Sequence, residues 1–106
     1  MPKFLFSCSY TEAGLRGLMK EGGSARREAT RALAVSLRGS LDAYYFAFGT
    51  SDVYLIADLP SQEAAAALAM MVGASGAATV STTVLLEPEQ IDAARDLSPE
   101  YRPPGS

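Results

Sequence analysis

Apolar and polar positions alternate along two runs, Leu41–Phe48 and Val53–Leu59, on either side of Gly49-Thr50-Ser51-Asp52. Aromatic and β-branched arms around a glycine and small polar residues predict a β-hairpin. Successive side chains on a strand point to opposite faces. In the first arm Leu41, Tyr45 and Ala47 therefore oppose Tyr44, Phe46 and Phe48. In the second, Val53, Leu55, Ala57 and Leu59 oppose Tyr54 and Ile56. Both faces are apolar, whereas a sheet covered on one side should read polar outside. The helices of a short chain can cover one face. A partner subunit is the expected cover for the other.

The remaining pattern supplies the other elements. Lys3–Tyr10 reads as a strand with Phe4, Phe6, Cys8 and Tyr10 on one face. Thr11 caps a helix over Glu12–Lys20, with Leu15, Leu18 and Met19 as its apolar side and Gly22-Gly23 as its stop. Ser24 caps a second helix over Ala25–Leu37, with Ala29, Leu33 and Leu37 as the inward stripe. Arg38-Gly39-Ser40 ends it. Pro60-Ser61 opens a third helix whose stretch Ala64–Ser75 is apolar all round, predicting burial on more than one side. Met70 and Met71 fit there as packing residues. Ala78–Leu86 is a Thr- and Val-rich strand, and Pro88 starts a short helix to Arg95. The chain divides into one domain, residues 1–96, and a Pro-rich tail, residues 97–106.

Strand, helix in two pieces, strand, strand, helix, strand is the βαββαβ order of the ferredoxin-like α+β fold. Its four-stranded antiparallel sheet carries helices on one face. The open face is expected to present Tyr44, Phe46, Phe48, Tyr54 and Ile56, and a two-fold sheet-to-sheet dimer, or a larger homo-oligomer, would cover it.

The segments K-F-L-F-S-C-S-Y-T, K-E-G-G-S-A-R-R, L-D-A-Y-Y-F-A-F-G-T-S-D-V-Y and T-T-V-L-L-E-P-E resemble the GYD-domain family, a group of small bacterial and archaeal proteins, largely uncharacterised. The resemblance spans roughly residues 1–95. The naming motif Gly-x-Tyr-Asp stands here as Gly49-Thr50-Ser51-Asp52, with serine in place of the tyrosine. The family is similar to the dimeric α/β-barrel group. That kinship implies a small homo-oligomeric domain, and, as the alternative, a cofactor-independent monooxygenase or isomerase. Fold kinship by itself confers neither activity.

Composition narrows the chemistry. Histidine is absent, which removes His-based acid–base catalysis, histidine haem ligation and His-containing zinc sites. One cysteine forms no intramolecular disulfide and no cysteine-rich metal site. No metal and no cofactor is expected. Residues 1–40 hold seven Lys/Arg and three Asp/Glu, and residues 41–106 hold two Arg and nine Asp/Glu. The acidic total makes a general nucleic-acid binder a poor fit, and no run reaches membrane-spanning length. A cytoplasmic protein is the simplest expectation, with a small molecule as the possible ligand.

Two constellations remain as candidates. Gly23, Ser24, Arg26 and Arg27 offer helix N-terminal N–H groups beside two guanidiniums, a candidate anion site. The commoner reading of the same residues is a glycine stop and a serine cap. Asp52, Tyr10 and Tyr54 are the weak catalytic candidates, drawn from a set that includes Tyr44, Tyr45 and Asp58. Asp52 would act as a general base if buried among aromatics. The commoner role of an aspartate at a turn is local hydrogen bonding.

Overall fold

A computed structural model describes all 106 residues. The elements run β1 (Lys3–Tyr10), α1 (Glu12–Glu21), α2 (Gly23–Ser36), β2 (Ser40–Phe46), β3 (Val53–Asp58), α3 (Gln62–Ala74), β4 (Ala78–Leu85) and α4 (Pro88–Arg95). One antiparallel sheet has the order β2-β3-β1-β4. With its helices this is an α+β ferredoxin-like arrangement. No helix is long and apolar enough to cross a membrane.

The core lies where the alternation places it. Phe4, Phe6 and Cys8 of β1 meet Val53, Leu55 and Ala57 of β3 on the helix-facing side, with Ala64, Ala65 and Leu68 of α3 above them. Phe4, Phe6, Leu59 and Leu68 are at most 1% exposed. α2 packs over β2, and α3 over β4.

A β-bulge overturns part of the expected open face. Leu41 pairs with Ala57 while Ala43 pairs with Ile56, so Asp42 has no opposite residue. One extra residue re-phases the strand. Leu41, Tyr44 and Phe46 then share the helix-facing side, and Tyr44 and Phe46 pack against the core rather than projecting from the open face. Phe48 stacks on Phe46 at 6.1 Å, just past the strand. Of the five expected residues, Tyr54 and Ile56 remain on the open side, joined by Leu5 and Tyr45 through the pairs Leu5↔Ile56 and Tyr45↔Tyr54.

The helices also depart from the simple pattern. The cap of α2 is Gly22, at φ 88°, and Ser24 is already inside the helix with no capping role. Gly22 also ends α1, its N–H donating to the Leu18 carbonyl at 2.7 Å. Gly23 begins α2 as glycine because a Cβ there would meet the Phe46 ring at 2.9 Å. At the other end the left-handed residue is Arg38 (φ 65°), and position 39 is glycine because a Cβ there would lie 2.2 Å from the Asp58 carbonyl oxygen. Ala29 is exposed; the inward side of α2 is Arg26, Thr30, Leu33, Ala34 and Leu37. α1 buries only Gly14, leaving Leu15 and Met19 exposed. α3 buries Ala64, Ala65 and Leu68, while Met70 and Met71 lie 69% and 64% exposed instead of packed.

Candidate functional site

Between α2, α3 and the end of the sheet that carries Tyr10 lies a cavity of about 230 Å³. Its floor is Cys8, Tyr10, Tyr44, Val53, Leu55 and Ala78. Arg26, Thr30 and Leu33 form the α2 wall. Leu68, Met71, Val72 and Ser75 form the α3 wall, and Ala77 closes the end. The walls diverge because each helix is tied to a different strand, α2 to β2 and α3 to β4. Small residues at Ala77, Ala78 and Ser75 leave the gap between them open.

Two of the hydroxyls at this cavity spend their protons on backbone carbonyls. The Thr30 hydroxyl donates to the Arg26 carbonyl at 3.0 Å. The Ser75 hydroxyl donates to the Val72 carbonyl at 2.6 Å and accepts from the Ala77 N–H at 3.2 Å. The Tyr10 and Tyr44 hydroxyls interact with each other, and the Arg26 guanidinium, which gives one nitrogen to Glu21, lines the cavity beside them. Burial, and then the neighbouring Tyr44, push the Tyr10 phenol well above its ordinary range, with Arg26 pulling the other way. Burial alone pushes the Cys8 thiol up to about 11. Both groups therefore hold their protons at neutral pH. Arg26 is half-buried and reaches back to Glu21 at 3.2 Å.

The candidates from the sequence fall in three places. Tyr10 and Arg26 meet in the cavity, whereas Arg27 lies on the other side of α2, paired with Glu28 at 3.2 Å. Ser24 is exposed, and Gly23 lies against Phe46. Tyr54 is on the open face, across the sheet from the cavity. Asp52 does not line the cavity. Its carboxylate accepts the Tyr10 N–H at 2.8 Å, and its own N–H donates to the Cys8 carbonyl at 2.8 Å. It thus extends the β1–β3 ladder past its last paired residues, Cys8 and Val53, and fixes the end of the strand that carries Tyr10. Thr30, Leu33, Val72 and Ser75 are site residues that the sequence pattern did not single out. The available signal was Arg26 and Thr30, two polar residues four apart in line with Leu33 and Leu37. No group of three or more Cys, Asp or Glu side chains gathers at metal-binding distance.

Residues 4–94 match the family model of the GYD domain. The chain belongs to the GYD domain family. No curated protein matches it significantly. The match covers the strands except Lys3 and α4 except Arg95, so the cavity and the Asp52 tie both lie inside the GYD domain.

Proposed function

We propose that this GYD domain is a homodimeric binding module whose cavity holds a small molecule with one aromatic or aliphatic ring and one acidic group. The carrying observation is an apolar cavity lined by a pair of interacting phenols and by a guanidinium that keeps N–H donors beyond the one given to Glu21. Cavities near ~150 Å³ already accept a benzene ring, so about 230 Å³ suits a ring with a substituent. Phenol and guanidinium donors favour an anionic acceptor over a cationic or donor-rich ligand. The monooxygenase or isomerase reading draws less support. Cys8 and Tyr10 are pushed toward their neutral forms, and no carboxylate lines the cavity to serve as a base. The dimer would cover Leu5, Tyr45, Tyr54 and Ile56, an apolar patch on a face without helices.

Benzoate and benzyl alcohol are suitable probes, compared by thermal unfolding. At ten times Kd a bound ligand adds roughly 1.4 kcal/mol, or about 6 °C or more for a chain of this size. Benzoate should raise Tm more than benzyl alcohol does. Arg26→Ala should remove that difference, Val72→Phe should fill the cavity and abolish both responses, and Arg27→Ala should change neither. Equal responses in wild type and Val72→Phe, or none to benzoate in wild type, would refute the site.

A further inference from the structure

The end of the chain is the least accounted-for part of the molecule. α4 has no buried residue. Leu86, Ile91, Leu97 and Tyr101 are 60%, 53%, 79% and 77% exposed. Yet α4 is a well-made helix, with a capping box between Glu87 and Gln90 and proline at its start. At 8 residues it is far shorter than a helix that persists alone in water. Its apolar side chains need a surface that the rest of its own chain does not supply.

Two whole-molecule quantities say that this surface is large. The accessible area is 7147 Å² for 11.2 kDa. Size scaling for a monomer of this mass gives about 5,700 Å². The excess is larger than the roughly 800 Å² that each partner loses in an interface of standard size. The radius of gyration is 16.9 Å, against roughly 13 Å for a single domain of this length.

Charge selects the occupant. Residues 87–102 carry Glu87, Glu89, Asp92, Asp96 and Glu100 against Arg95 and Arg102. At the opposite edge of the sheet, a groove of about 250 Å³ between α2 and β2 is lined by Arg27, Arg31, Ala43 and Tyr45, with Asp42 at its bulge. Arg27 and Arg31 share one carboxylate oxygen of Glu28, at 3.2 and 3.3 Å, which leaves the trio cationic. Asp42 is already held by Lys3. β2 and β4 are the two edges of the sheet, and α4 follows β4. A two-fold axis along the strands would lay the β4 edge of one copy over the β2 edge of the other.

We infer that α4 and the residues after it form an acidic arm that docks on the α2–β2 edge of a second copy of this chain. Arg27 and Arg31 meet the arm's carboxylates there, and Ala43 with the rim of Tyr45, at the margin of the sheet-face patch, receives Ile91 and Leu97. The arm rests on the homodimer proposed above and adds to it a specific contact, one the sheet faces alone do not require.

The test uses full-length chains. Asp92→Cys and Arg31→Cys variants are prepared separately, mixed, and treated with a short bismaleimide linker; Cys8 is buried and its thiol is held protonated. The arm predicts a cross-linked dimer containing one copy of each variant. A second variant, Ile91→Asp with Leu97→Asp, should raise the dimer dissociation constant by roughly tenfold or more in sedimentation. It changes only exposed side chains, so the monomer fold should be preserved. A dimer with no mixed cross-link and an unchanged dissociation constant would overturn the arm and leave the sheet-to-sheet dimer standing. Linkage within one chain carrying both cysteines, with none between chains, would overturn it in favour of folding back. A wild-type monomer would overturn the dimer and the arm together.

Discussion

Asp52 ties the end of β1 to the end of β3, and its geometry is that of a strand clamp. Replacing it by alanine removes the acceptor of the Tyr10 N–H, a 2.8 Å bond across 42 residues of sequence. A hydrogen bond to a charged group contributes about 1.5–3 kcal/mol, and the part-buried Tyr10 N–H would lose its partner. The backbone bond from Asp52 N–H to the Cys8 carbonyl can persist in the variant. Asp52→Ala should therefore lower the unfolding free energy by about 2 kcal/mol in urea titration. Asp52→Asn keeps an oxygen at the same place without the charge, and should recover more than half of that loss. The clamp also positions Tyr10, so the alanine variant should weaken benzoate binding while the asparagine variant largely retains it. If Asp52→Ala is as stable as wild type, or if asparagine and alanine are equally damaging, the clamp reasoning fails.

Two glycines of α1 should respond in opposite directions. A Cβ on Gly14 would lie 1.9 Å from the Ala77 carbonyl oxygen, which also accepts the Thr11 N–H at 2.9 Å; Gly14→Ala should destabilise by roughly 3 kcal/mol in urea titration. Nothing lies within 4 Å of a Cβ on Gly17, so Gly17→Ala should stabilise the same helix by about 0.5–1 kcal/mol. Cys8 sets an alkaline limit. Its folded pKa is raised from 9.0 to about 11, so the unfolded chain loses this proton first. Stability should be insensitive to this group below pH 9.0 and fall between there and about 11, by at most ~1.4 kcal/mol per pH unit. Cys8→Ala should delay the decline until Tyr10 begins to matter above its ordinary 10.0; an identical pH profile in the variant would contradict the burial argument. On the open face, Ile56→Asp should dissociate the dimer in sedimentation, and an unaltered oligomeric state would count against that face as the contact.

Much of the fold was legible because alternation and caps are local. Spacing alone grouped Phe4 with Phe6, and Val53 with Leu55 and Ala57, within their strands, and Ser61 caps α3 as its position before the apolar run implies, accepting from the Ala64 N–H at 3.1 Å. The bulge at Asp42 was not legible, because an unpaired residue is defined by the partner strand and leaves no mark in a run of aromatics. That one residue moved Tyr44 from the expected open face to the floor of the cavity. Gly22 ends α1 as expected, but its second role as the cap of α2, and the left-handed Arg38, were hidden. The need for glycine at 23 and 39 comes from the Phe46 ring and the Asp58 carbonyl, which lie elsewhere in the chain. Met70, Met71, Leu15 and Met19 were placed inside by hydrophobicity, yet the chain buries only 14 of its residues. A periodic pattern records that a side chain is to be covered; it does not record which molecule covers it.

The most direct test of the binding account is a two-dimensional ¹H–¹³C methyl NMR titration of the full-length protein with benzoate. The methyl groups of Leu33, Val53, Leu55, Leu68 and Val72 should shift together along one saturable curve. Those of Leu86 and Ile91, which do not line the cavity, should stay in place. Shifts confined to Leu5 and Ile56 on the open sheet face, or no saturable shift at the five cavity residues, would contradict it.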